Sequence, residues 1–157
     1  VYDNLIYYAD IYGVPRGEAR RRIKELLERF DIADKLDLPV KGFSTGMKKK
    51  VALIRAMLHR PRLLLLDEPT NGLDPVMTQE LREMLISLAK ESGATIIMTT
   101  HNLDEVQKMC DQISIFRHGR SIFASSMDAL EQKARFDEDG TFSLEKLYFS
   151  LEGGARP

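Results

Sequence analysis

The sequence predicts an α/β fold with a parallel sheet, and three observations lead there. Up to Pro61 the apolar residues recur at helical spacing, after Pro61 the pattern contracts to two short aliphatic runs, and the stretch between those runs is again helical. Strand, helix, strand is the order of a parallel crossover unit, which turns right-handed in nearly every case. With 157 residues the chain has the size of one ordinary domain. Its 43% hydrophobic and 30% charged residues exclude disordered, collagen-like and coiled-coil compositions and predict a soluble, mixed-charge globular chain.

The elements follow in order. Gly13 and Pro15 punctuate a Tyr-rich apolar segment at the start. Residues 18 to 30 then place Ile23, Leu26, Leu27 and Phe30 on one helical face, with Arg20, Arg21, Arg22, Glu25 and Arg29 mostly opposite. A further helix follows Ser44-Thr45-Gly46, with Met47, Val51, Ile54 and Leu58 along one side until Pro61 stops it. Leu63 to Leu66 and Thr95 to Thr99 read as strands buried on both faces, and Leu81, Met84, Leu85 and Leu88 as the helix between them, ended by Ser92-Gly93. Asn102 caps a short helix carrying Leu103, Val106 and Met109. Ile113 to Phe116 and Ser121 to Ala124 flank His118-Gly119 as a hairpin. Ser125 with Asp128 suggests a capping box, Asp137 to Gly140 a solvated turn, and Leu144, Leu147, Tyr148 and Leu151 a last helix before Gly153-Gly154.

Several function classes fall away early. The longest unbroken aliphatic stretch, Leu63 to Leu66, is far short of the roughly 20 residues that cross a bilayer. A single cysteine, Cys110, excludes an intrachain disulfide and a Cys-based zinc cluster and fits a reducing compartment. A net charge of −1 gives no global attraction to nucleic acid. The chain opens on Val1 rather than Met, with no targeting pattern behind it, which reads as a sequence cut before its natural start.

In open α/β sheets ligands collect beyond the C-terminal ends of the strands, so polar residues just past a strand carry most weight. Asp67 and Glu68 follow Leu63 to Leu66 there, either as a catalytic carboxylate pair or as a strand-ending turn with Pro69. His101 follows the second strand, as a phosphate-contacting imidazole or as surface filler, the reading given to His59 and His118. Ser44-Thr45-Gly46-Met47 opens a helix whose free N–H groups either receive a phosphate or are merely capped. The basic run Lys48-Lys49-Lys50 with Arg55, Arg60 and Arg62 reads as the solvated side of that helix.

Taken in order, Phe43 to Lys48, Leu63 to Glu68, Asn71 to Pro75 and His101 resemble the nucleotide-binding subunit of an ABC transporter, a P-loop NTPase. The resemblance runs from about Tyr2 to Leu151. It makes Ser44, Thr45, Gly46 and Met47 the signature motif, Asp67 and Glu68 the end of Walker B, Gly72, Leu73 and Asp74 the D-loop, and His101 the switch histidine. It implies a helical subdomain over residues 1–60, part of a RecA-like core over 61–125, and a C-terminal helical tail over 126–157. ATP with Mg²⁺ is the implied ligand, Asp67 holding the ion through water and Glu68 and His101 acting in catalysis. The implied partners are a second nucleotide-binding subunit, whose ATP the signature residues would touch, and a membrane permease that places the chain at the cytoplasmic face of the membrane. Nucleic acid is not among them.

Departures from the family pattern matter as much. Thr45 and Met47 stand where the commonest signature has Gly and Gln, and together with Tyr12-Gly13-Val14-Pro15 and the Ser143-Leu144-Glu145 tail they are similar to bacterial exporter ATPases. None of the ten glycines precedes a Lys, so the loop Gly-x-x-x-x-Gly-Lys-[Ser/Thr] is missing from these residues, as is a Gln for the Q-loop. Two expectations follow: no ATP hydrolysis by this chain alone, and an uncovered apolar sheet face that leaves it marginally stable. Three other readings remain open: an ABC-superfamily DNA-repair or chromosome ATPase, a nucleic-acid-binding module, and a non-catalytic partner subunit. A heptad region before residue 1, salt-dependent DNA binding, or dispensable Glu68 and His101 would favour each in turn.

Overall fold

A computed structural model describes residues 1–134 and 143–153. The chain divides into two compact units, Val1–Thr99 and Thr100–Pro157. None of the described helices is long and apolar enough to cross a membrane.

The first unit begins with helices α1 (Tyr2–Ile11) and α2 (Arg16–Arg29), two single 3-10 turns (Ala33–Lys35 and Val40–Gly42) and α3 (Thr45–Met57). Leu5, Ala9, Ala19, Ile23, Leu27, Phe30, Ile54 and Leu58, all at or near zero exposure, form its core where α1, α2 and α3 pack together. Gly13 supplies the left-handed turn, φ +70°, between α1 and α2. Above this core Arg55 lies over the Tyr8 ring at 4.4 Å, and His59 stacks on Tyr12 at 4.1 Å.

Strands β1 (Leu63–Asp67) and β2 (Thr95–Thr99) pair in parallel, in register from Leu63 with Thr95 to Asp67 with Thr99. Helix α4 (Pro75–Ser92) connects them, capped by the Asp74 carboxylate on the Met77 N–H at 3.0 Å and closed by left-handed Gly93. The expectation of strands buried on both faces needs correction. Leu64 is buried and Leu66, Ile96 and Met98 half-buried, whereas Leu63, Leu65 and Ile97 are 50%, 67% and 53% exposed. Side chains alternate across a strand, and only one face of this two-stranded sheet is covered by described residues.

Arg22 also departs from its predicted solvent side. It is buried, donates to the Leu58 carbonyl at the end of α3, and pairs with Glu18 one turn back. A guanidinium with a long aliphatic stem fills the α2–α3 contact while satisfying a helix-end carbonyl that has no partner of its own.

The second unit holds α5 (Leu103–Met109), the hairpin β3 (Gln112–Arg117) and β4 (Arg120–Ser126), α6 (Met127–Ala134) and α7 (Leu144–Gly153). Its core is Val106, Met127, Leu130 and Leu144, with Leu103, Cys110, Ile113, Phe123 and Leu147 against it. His118 and Gly119, at φ +48° and +73°, make the tight turn that the sequence located. The cap of α6 lies one residue later than predicted. Ser125 is still paired in β4 with Ile113, and the Ala129 N–H reaches Ser126 Oγ at 3.2 Å instead. The predicted turn at 137–140 and Gly154 lie outside the described residues.

Candidate nucleotide-hydrolysis site

Thr99, level with Asp67 on β2, donates its hydroxyl to Asp67 Oδ1. The next residue, Glu68, gives its N–H to the Thr99 carbonyl at 3.1 Å, with Thr99 Oγ1 at 3.3 Å from the same nitrogen. Glu68 then leaves the strand at φ +45°, a left-handed conformation unfavourable for any residue with a β-carbon. A tight turn follows, closed by Asn71 N–H to the Glu68 carbonyl at 3.2 Å and Leu73 N–H to the Thr70 carbonyl at 3.1 Å. One threonine therefore aligns two consecutive carboxylate residues at the sheet edge.

Helix α3 brings the second group of residues. Ser44 caps it, accepting the Met47 N–H on Oγ at 3.2 Å, with Ser44 and Thr45 exposed and Met47 half-buried. Gly46 is buried, and a β-carbon there would run into the Met77 thioether, with a Leu73 methyl beyond it. The first turn of α3 thus rests on the loop Gly72-Leu73-Asp74 and the start of α4. Gly72 takes φ +74° to make that loop, and Asp74 serves as the α4 cap.

The two groups are tied by a residue that the sequence reading assigned to solvent. Lys49 Nζ donates to the carbonyls of Pro69 at 2.7 Å and Asn71 at 2.6 Å and approaches that of Glu68 at 3.3 Å. Lys50 is likewise engaged, its ammonium 3.1 Å from Glu80 on α4. Of the three consecutive lysines only Lys48 is exposed, as are Arg60 and Arg62 beyond the helix. The missed signal is a second stripe on α3: Gly46, Lys50, Leu53 and Met57 recur at helical spacing beside the predicted one, and Gly46, Leu53 and Met57 are buried.

His101 belongs to the second unit. It is exposed and directly precedes Asn102, whose Oδ1 accepts the Glu105 N–H at 3.3 Å to cap α5 and whose own N–H bonds Thr100 Oγ1 at 3.0 Å. Buried Glu105 completes a reciprocal cap through the Asn102 side-chain amide.

The donor set suits Mg²⁺. Asp67 is a hard carboxylate at an exposed sheet edge, its Oδ1 accepting the Thr99 hydroxyl. Mg²⁺ is held that way in nucleotide sites, by one or two carboxylates plus water and phosphate oxygens rather than by an all-protein cage.

Comparison with known proteins fits this geometry. A family model described as "AAA domain, putative AbiEii toxin, Type IV TA system" matches residues 7–106. The ABC transporter ATP-binding protein NatA of Bacillus subtilis (strain 168) is 36% identical over 145 residues, 92% of this chain and 58% of its own. A solved structure titled "Structure of ATP binding subunit of ABC transporter" superposes with a TM-score of 0.78 at 31% identity, covering 96% of this chain.

The chain belongs to the ABC ATPase family.

A second ABC ATPase structure, cbiO1 from Clostridium perfringens, described as part of the ABC transporter complex cbiONQ, gives a TM-score of 0.73 at 30% identity over 96% of this chain. The chain spans 58% of NatA, 61% of the first structure and 60% of cbiO1, about three fifths of each. Its α/β architecture is that of the ABC-type P-loop NTPases, and the matched residues 7–106 include Ser44 to Met47, Asp67, Glu68, Gly72 to Asp74 and His101.

Proposed function

We propose that this chain is the signature and Walker B portion of an ATP-hydrolysing subunit that powers a membrane permease from the cytoplasmic face. The observation that carries the reading is the joint at the end of β1: Asp67 and Glu68, aligned by Thr99, share one loop with the residues on which the first turn of α3 rests. In this reading residues 1–60 are the permease-facing helical part, 61–125 the catalytic core and 126–157 the tail.

Glu68 takes a proton from the attacking water as general base, a role worth typically 10²- to 10⁴-fold. Asp67 would hold Mg²⁺ through water, and the ion when bound offsets charge on the phosphate oxygens. Ser44 and the N–H groups near Gly46 meet the γ-phosphate of ATP held by a second subunit, using the positive end of α3. Gly72, Leu73 and Asp74 join the two sites of the dimer, and His101 keeps the switch-histidine role of the resemblance. Charge stabilisation and positioning supply the rate, with no covalent step on the protein.

Two finer points belong to the same proposal. Transport is outward, supported by Ser44-Thr45-Gly46-Met47 and Tyr12-Gly13-Val14-Pro15, and proteoliposomes carrying the cognate permease would show substrate accumulating on the side away from added ATP. The 157 residues alone do not turn over ATP, since they contain no Gly-Lys loop to hold it.

Steady-state turnover tests the reading. The intact gene product should hydrolyse ATP, and Glu68→Gln should lower kcat by at least about 10²-fold with nucleotide binding retained. Turnover indifferent to that change, or sustained by the 157 residues alone, would refute it.

A further inference from the structure

We propose that Lys49 is a positioning residue that fixes the backbone of Glu68 and couples it to the first turns of α3. The proposal rests on the reading of Glu68 as the water-activating carboxylate. An ammonium has three N–H donors, and three carbonyls, those of Glu68, Pro69 and Asn71, converge on this one. Carbonyl dipoles pointing at a common spot repel one another unless a cation sits there. Glu68 also holds a left-handed φ of +45°, a conformation that persists only where its surroundings over-determine it. Thr99 fixes its N–H side and Lys49 its carbonyl side. Because Lys49 lies on α3 two residues after Met47, a shift of α3 on meeting a phosphate is passed to the carbonyl of Glu68. The cation makes a mechanical link between the residues that would touch a partner's ATP and the residue that activates water in this subunit's own site.

Lys49→Met keeps the stem and removes all three donors. Hydrogen exchange on the nucleotide-free chain should show the Asn71 and Leu73 amides exchanging at least about tenfold faster, with Leu81 and Leu85 in α4 unchanged. In the intact gene product kcat should fall about 10- to 100-fold with the KM for ATP within about twofold, the signature of a misplaced catalytic group rather than lost binding. Lys49→Arg should recover only part of kcat, since a planar fork cannot meet three convergent acceptors. If Lys49→Met does not fold, Lys49→Gln gives the graded form of the same test. Unchanged exchange at Asn71 and Leu73, or faster exchange with unaltered kcat, overturns the proposal. Wild-type protein without turnover would instead fail the hydrolytic reading, and the exchange measurement, made without nucleotide, separates the two.

Discussion

At the scale of residues, Thr99 shows how much a site depends on a side chain with no role in the chemistry. Its hydroxyl bonds Asp67, and its carbonyl takes the Glu68 N–H. Thr99→Val keeps shape and strand propensity but leaves Asp67 without that donor. Groups that orient a metal-binding carboxylate are worth about 10- to 100-fold in metal affinity, so the Mg²⁺ concentration for half-maximal turnover should rise by about that factor. An unchanged Mg²⁺ titration would show that Asp67 does not meet the ion. The position of Asp67 and Glu68 at a strand end was legible in the aliphatic run before them, while the run alone left a catalytic pair and a strand-ending turn equally open. The roles of Thr99, Arg22 and Lys49 were not legible. Each acts through a partner remote in sequence, Thr99 on Asp67, Arg22 on the Leu58 carbonyl and Lys49 on the 68–71 turn, and periodicity alone cannot pair them.

Elements were read more faithfully than residues, since caps and breakers act locally. Ser44 and Asn102 cap helices as read, Gly93 ends α4 as its place after Ser92 suggested, the α6 cap falls one residue beyond Ser125, and the Asp74 cap went unread. What periodicity misjudged was how many faces an element buries. The helix α3 has two buried stripes where one was read, and the sheet one covered face where two were read. For α3 the cap has a dual consequence under the proposed function. Ser44→Ala should cost about 1 kcal/mol of stability in denaturant unfolding, the usual value of an N-cap hydroxyl. It should also lower turnover in the intact gene product by more than that loss explains, because the same Oγ would face phosphate. Equal losses in Ser44→Ala and Asp74→Ala stability with no added effect of Ser44→Ala on kcat would leave Ser44 as a cap only.

At the scale of the molecule, two units with separate cores divide the chain between residues 99 and 100. The apolar face of Leu63, Leu65 and Ile97 belongs to the first. Exposed side chains of this kind, side by side on a sheet, favour self-association and bind hydrophobic dyes. Leu65→Thr with Ile97→Thr, both compatible with a strand, should reduce dye fluorescence and light scattering of the 157-residue chain while leaving its helical circular dichroism intact. Undiminished scattering would place the sticky surface elsewhere. The left-handed backbone at Glu68 has a different kind of consequence. Gly or Asn would sit there with less torsional cost than Glu, yet neither can take a proton from water. With Glu68 in the proposed water-activating role, position 68 would be a point of opposed selection: a screen for thermal tolerance alone would enrich substitutions that remove the carboxylate, and heat resistance acquired there would be a mark of lost turnover.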